Sequence, residues 1–158
     1  MKKRKINPEY LRHITSSDVK NEEIDSLDFA ISLRRFATDH LDGLVSVSIT
    51  GQSEGALSLK LPVVSYLIRL IAECPPEGTV DINIALGEKI RLDVRFDCMP
   101  GLDDTVHIIN VAKLAGFEVS RDTDTLTFTA EAKISHVLKV YATSGSDFMD
   151  LLVLTYKM

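Results

Sequence analysis

Few side chains in this 158-residue chain are of a type and spacing that support chemistry. The histidines are His13, His40, His107 and His136. They form no H-x-x-x-H pair, and neither Cys74 nor Cys98 lies at ligand spacing from any of them, so a metal centre is not expected. Two cysteines make no disulfide framework. Cys74 ends an apolar helical run and Cys98 follows a strand, and both are read as reduced, mostly buried thiols of a cytoplasmic protein. The serines have no nucleophile-elbow context, so no Ser-His-Asp arrangement is recognisable. One carboxylate stands out by its position: Asp97, in Val94-Arg95-Phe96-Asp97-Cys98-Met99-Pro100-Gly101-Leu102, where an alternating strand runs into a turn.

The elements that would place Asp97 are legible from periodicity. Residues 1 to 24 are polar and read as a short helix or a disordered arm; its basic cluster Lys2-Lys3-Arg4-Lys5 reads as solvated. Asp25 or Ser26 is a helix cap. From Leu27 to Leu41, Phe29, Leu33, Phe36 and His40/Leu41 recur at three- and four-residue steps, an amphipathic helix ending near Gly43. Val45, Val47 and Ile49, then Leu57, Leu59 and Leu61, alternate with polar residues around Gly51–Gly55 and read as a hairpin. Pro62 suits a first helical turn. Val64, Leu67, Ile68 and Ile71 are the buried stripe of a helix stopped by Pro75-Pro76.

Val80 to Leu86 and Ile90 to Phe96 alternate about Gly87-Glu88, an antiparallel hairpin with one buried face. Asp103-Asp104-Thr105 offers a cap for a helix with Ile108, Val111/Ala112 and Ala115 inward, ended by Gly116. Phe117 to Val119 and Leu126 to Thr129 are further strands. Residues 133–143 read equally as helix or strand, and Leu151 to Tyr156 favours a strand. The expected architecture is α+β: a two-layer sandwich of a mixed, mainly antiparallel sheet with helices on one face. It forms a single domain over 25–158, of which 133–158 is a C-terminal extension.

Composition narrows the function classes. The net charge of −5 lacks the clustered Lys and Arg of a nucleic-acid surface. No apolar run reaches the roughly 18–20 residues of a membrane span, and the basic start leads into no apolar signal segment.

The order of elements over residues 44–131 resembles the ATP-binding domain of sensor histidine kinases, in the GHKL superfamily. In that family a strand leads into Asp-x-Gly-Pro-Gly-Ile, whose Asp recognises adenine. Asp97, Pro100 and Gly101 match this motif, and Met99 replaces its middle Gly. Pro76-Glu77-Gly78-Thr79 is similar to the segment between the family's N box and the next strand. Ile108–Gly116 resembles the helix that follows the second glycine box, and Thr125–Thr129 the final strand. The resemblance implies ATP or ADP at Asp97 and Gly101, with magnesium held by an Asn of the first core helix.

The sequence departs from that chemistry. The Asn position falls on Leu70, the polar position one turn earlier on Tyr66, and a one-residue slip puts Arg69 there. A hard cation wants oxygen donors, which Leu70 lacks. The family's long glycine-bearing lid is reduced to Asp103-Asp104-Thr105. Asp97 therefore has two readings, adenine recognition or a strand-end carboxylate capping the next turn, and the second is favoured; Gly101 is read as a turn residue with positive φ.

The resemblance also raises phosphotransfer, because kinase-related phosphorelay proteins carry a phosphoaccepting His beside an acidic residue, as in Thr38-Asp39-His40-Leu41-Asp42. No second helix of the required hairpin follows His40, so a structural His is preferred. The functional expectation is a catalytically inactive ATPase-like domain with no cofactor, acting as an interaction or regulatory module in bacterial two-component signalling. Its partner would be a kinase, a response regulator or a second copy met through helix 26–42.

Overall fold

The computed structural model describes residues 8–16, 18–75, 77–133 and 142–158. Its core is a five-stranded sheet in the order β2-β4-β5-β7-β6, formed by β2 (Val45–Gly51), β4 (Val80–Leu86), β5 (Lys89–Phe96), β6 (Glu118–Arg121) and β7 (Thr125–Glu131). β4 and β5 are the expected antiparallel hairpin, with Ile82 opposite Val94 and Ile84 opposite Leu92. β7 continues both rows with Leu126 and Phe128. These inward side chains are almost fully buried, and the alternate residues face solvent on the other side. That one-sided burial is what period-two alternation predicts.

Helices cover the apolar face. They are α2 (Ser26–His40), α3 (Leu61–Glu73), α4 (Leu102–Ala115) and α5 (Gly145–Lys157). α3 lies between α4 and α5, and α2 packs on both β2 and α5. The Asp25 carboxylate caps α2 by accepting from the Asp28 amide at 3.2 Å. Phe29, Leu33 and Phe36 are buried as their spacing requires. Gly116 closes α4 in the left-handed region at φ 117, where a side chain would also press on Leu59. No helix among the described residues is long and apolar enough to cross a membrane.

Four expectations change. β2 and β3 (Ala56–Leu59) do not form a hairpin: β2 runs parallel to β4, and β3 pairs antiparallel with β1 (Glu22–Asp25) in a separate two-stranded sheet. Alternation fixes which face of a strand is buried but not its neighbour. Here α3 supplies the crossover that a parallel pair needs. Leu151 to Tyr156 belongs to α5, not a strand. The Ser144 hydroxyl caps that helix by accepting from the Asp147 amide at 3.1 Å.

The third change is that Asp103, Asp104 and Thr105 are not a cap but the first turn of α4, which starts at Leu102 after an N-cap at Gly101. Gly101 itself has φ −56, not a positive value. Within the polar arm, α1 (Pro8–Ile14) and β1 are ordered, and Ile14 and Ile24 join the core. The basic cluster at 2–5, His136 and most of the ambiguous 133–143 stretch lie outside the described residues. On its flanks, Lys133 bridges Ala56 and Thr143 bridges Ile24.

Candidate functional site

Two sides of α3 hold the residues that the sequence singles out. Tyr66 and Leu70 are one turn apart and share a side of the helix. The Tyr66 hydroxyl lies 3.1 Å from Nε2 of His107 on α4 and is hydrogen-bonded to it. The two rings meet edge-on with centroids 5.9 Å apart. Burial pushes the Tyr66 phenol above its usual 10.0; the nearby Cys74 and Glu73 act the same way, and Arg69 opposes them. Leu70 is half-buried and brings only methyl groups. α3 and α4 thus pack directly on each other, tied by one polar bridge.

Arg69 turns the other way. It is 2% exposed, donates through its guanidinium to the Thr155 carbonyl of α5 at 3.1 Å, and pairs with Glu73 at 3.5 Å. Receiving a cation at the last carbonyls of α5 is favourable, because those carbonyls carry the negative end of the helix dipole. α5 is held there by a stacked Phe29–Phe148 pair at 5.3 Å and an edge-on Phe36–Tyr156 pair at 5.8 Å.

Asp97 lies at the end of β5 and is exposed. Its amide donates to the Thr79 carbonyl at 3.0 Å. Gly78 approaches it so closely that a β-carbon there would lie 2.8 Å from a carboxylate oxygen, and Gly78 holds φ +86. Asp97 lines a polar depression of about 200 Å³ with Thr79, Asp81, Arg95, Phe96 and Asp124. Arg95 in that depression is paired with Asp124 at 3.5 Å. Three carboxylates and one already paired guanidinium leave it electronegative.

Gly101 is separated from this depression by half-buried Cys98 and Met99 and buried Pro100, and a side chain at 101 would meet nothing within 4 Å. The α4 start is held instead by Thr105, whose buried hydroxyl donates to the Pro100 carbonyl at 3.1 Å. Asp103 and Asp104 occupy the first turn. His40 ends α2, half-buried, with its ring 5.3 Å from that of Phe36. β2 begins five residues later.

The structure therefore joins Tyr66 to His107 and Asp97 to Gly78, and brings His40 to neither. Sequence reading passed over the Arg69–Thr155 contact. Its signal was a single guanidinium inside the apolar run Leu61–Ala72, a placement that demands a buried partner. His107 was likewise set aside, because nothing local in the sequence pairs it with a residue forty-one positions earlier.

No known protein family's sequence profile matches the chain, and no curated protein matches it. Among solved structures, the chain is similar to the cytoplasmic segment of histidine kinase QseC at 15% identity and a TM-score of 0.46, covering 80% of this chain and 90% of that one. It is also similar to the Acinetobacter baumannii histidine kinase AdeS at 12% identity and a TM-score of 0.48, covering 81% and 77%. These likenesses concern the arrangement of elements, and no residue's role is carried over from them.

Proposed function

We propose that this chain is an ATPase-like domain that does not turn over nucleotide and works as an interaction or regulatory module in two-component signalling. The observation that carries this reading is the Tyr66–His107 bridge between α3 and α4. It lies on the side of α3 where the sequence resemblance asks for a magnesium-holding Asn and a phosphate-filled groove. Tyr66 spends its hydroxyl on His107, and Leu70 has no oxygen to offer a hard cation.

The charges agree with this reading. α4 starts with no glycine-rich loop before it, and Asp103 and Asp104 stand in the first turn, where a triphosphate would need amides and positive charge. Arg69, the remaining cation of the segment, is committed to α5. Magnesium and a nucleoside triphosphate do not fit these residues, so we derive no step through them. The natural partners of such a module are the kinase or response regulator of a signalling pair.

A second reading keeps a weak adenine site at Asp97. It is favoured by the place of that carboxylate, exposed at the end of β5 in a polar depression of about 200 Å³. Thermal unfolding with and without millimolar ATP or ADP plus magnesium separates the two. A ligand at about a hundred times its dissociation constant adds about 2.7 kcal/mol, which moves the midpoint of a domain this size by about 5–10 °C. We expect no shift. A shift that disappears in Asp97→Asn would restore the nucleotide pocket and overturn the proposal.

A further inference from the structure

The two edges of the main sheet are built differently. β6 is four residues long and carries Glu118 and Arg121 at its ends, the charged and short edge that resists pairing. β2 is seven residues long, Val-Ser-Val-Ser-Ile-Thr-Gly, with no charge and no proline. Its inner side pairs with β4, and no described segment pairs with its outer side.

Two hydrogen bonds fix which groups face outward. The Leu44 carbonyl accepts from Val80 on the β4 side, while the Val45 amide turns away to the Leu41 carbonyl. Because alternate residues of a strand turn their amides and carbonyls to opposite sides, Val47 and Ile49 present theirs outward. Val47 and Ile49 are also only half-buried on the helix-covered face.

We propose that β2 is a self-pairing edge: two copies of this chain join β2 to β2 antiparallel, about a two-fold axis at Ser48, and merge their sheets. The occupant follows from complementarity. In that register Val47 meets Ile49 of the second copy and exchanges both amide bonds with it. Ser46 meets Thr50 and Ser48 meets Ser48, so apolar groups face apolar groups, hydroxyls face hydroxyls, and no like charges are opposed.

α2 packs on β2 and is carried with that edge. Its free face carries Leu27 and Ile31, exposed at 45% and 38%.

This proposal names the partner surface of the interaction module argued above, and its test uses no nucleotide, so it stands or falls independently of the nucleotide result. Light scattering after gel filtration of the full chain should give twice the 17.5 kDa of one chain. Ser48→Lys, at an exposed position, sets two ammonium groups face to face on the axis and should return the monomer mass with an unchanged circular dichroism spectrum. Ser46→Lys with Thr50→Lys should likewise return the monomer mass, whereas Ser46→Lys with Thr50→Glu, which sets opposite charges against each other across the axis, should keep the dimer. A monomer at every attainable concentration overturns the proposal. So does a dimer indifferent to both Ser48→Lys and the Ser46→Lys, Thr50→Lys pair. A monomer that instead binds a response regulator gives the edge to another partner, and likewise overturns self-pairing.

Discussion

The two sides of α3 have opposite characters. Toward α5 the helix is sealed: Arg69 is buried to 2%, its guanidinium holds a main-chain carbonyl, and α5 is stacked in place through Phe29 and Phe148. Toward α4 the packing is as extensive, with Ile108, Val111, Ala112 and Ala115 buried, and the polar contact is a phenol–imidazole bridge to the exposed His107 beside half-buried Leu70. The difference teaches where each side's constraint lies. The α5 side is fixed by packing and a buried charge, which tolerate little change. The α4 side is fixed by apolar packing and one neutral polar tie.

Substitutions on the two sides should therefore differ in size. Phe148→Ala removes a ring that is 0% exposed and stacked on Phe29. It should cost about 3–5 kcal/mol in denaturant unfolding. Arg69→Ala should cost about 2–3 kcal/mol, through lost stem packing and the lost guanidinium bonds to the Thr155 carbonyl and to Glu73. Arg69→Met, which keeps the stem volume, should recover part of that loss. Ser144→Ala, which removes the α5 cap, should cost about 1 kcal/mol.

On the other side, Tyr66→Phe should cost only about 0.5–1 kcal/mol, since exposed His107 regains water as a partner. A Tyr66→Phe loss as large as that of Arg69→Ala would erase the contrast. The Tyr66 phenol also gives the α4 side a pH signature. Its folded pKa is raised above 10.0, so the stability it contributes is complete below that pH and declines as pH rises through the folded value. Tyr66→Phe should flatten that alkaline decline.

Legibility in the sequence followed the same physical lines. The β4–β5 hairpin and the buried stripes of α2 and α3 were readable, because strict period-two or three-to-four-residue spacing encodes a face. The partner of β2 was not, because the alternation of Val45, Val47 and Ile49 suits a hairpin with β3 as well as a parallel pair with β4. α5 was missed because Leu151-Leu152-Val153-Leu154 has a strand's composition. Ser144 and Asp147 at capping spacing were the overlooked signal.

Of the candidate site, the departures of Leu70 and Met99 from the motifs the sequence resembles were plain from residue type. The partners of the neighbouring side chains were not. The Tyr66–His107 tie and the Arg69–Thr155 contact join residues far apart in the chain, and no local pattern records them.

The central claim is that the α3–α4 side is filled by the protein's own side chains, and amide NMR of the full chain titrated with magnesium–ATP tests it most directly. The account predicts unmoved resonances for Tyr66, Leu70, His107 and Gly101 through the whole titration. Saturable shifts at those residues, with Asp97 moving alongside them, would contradict it.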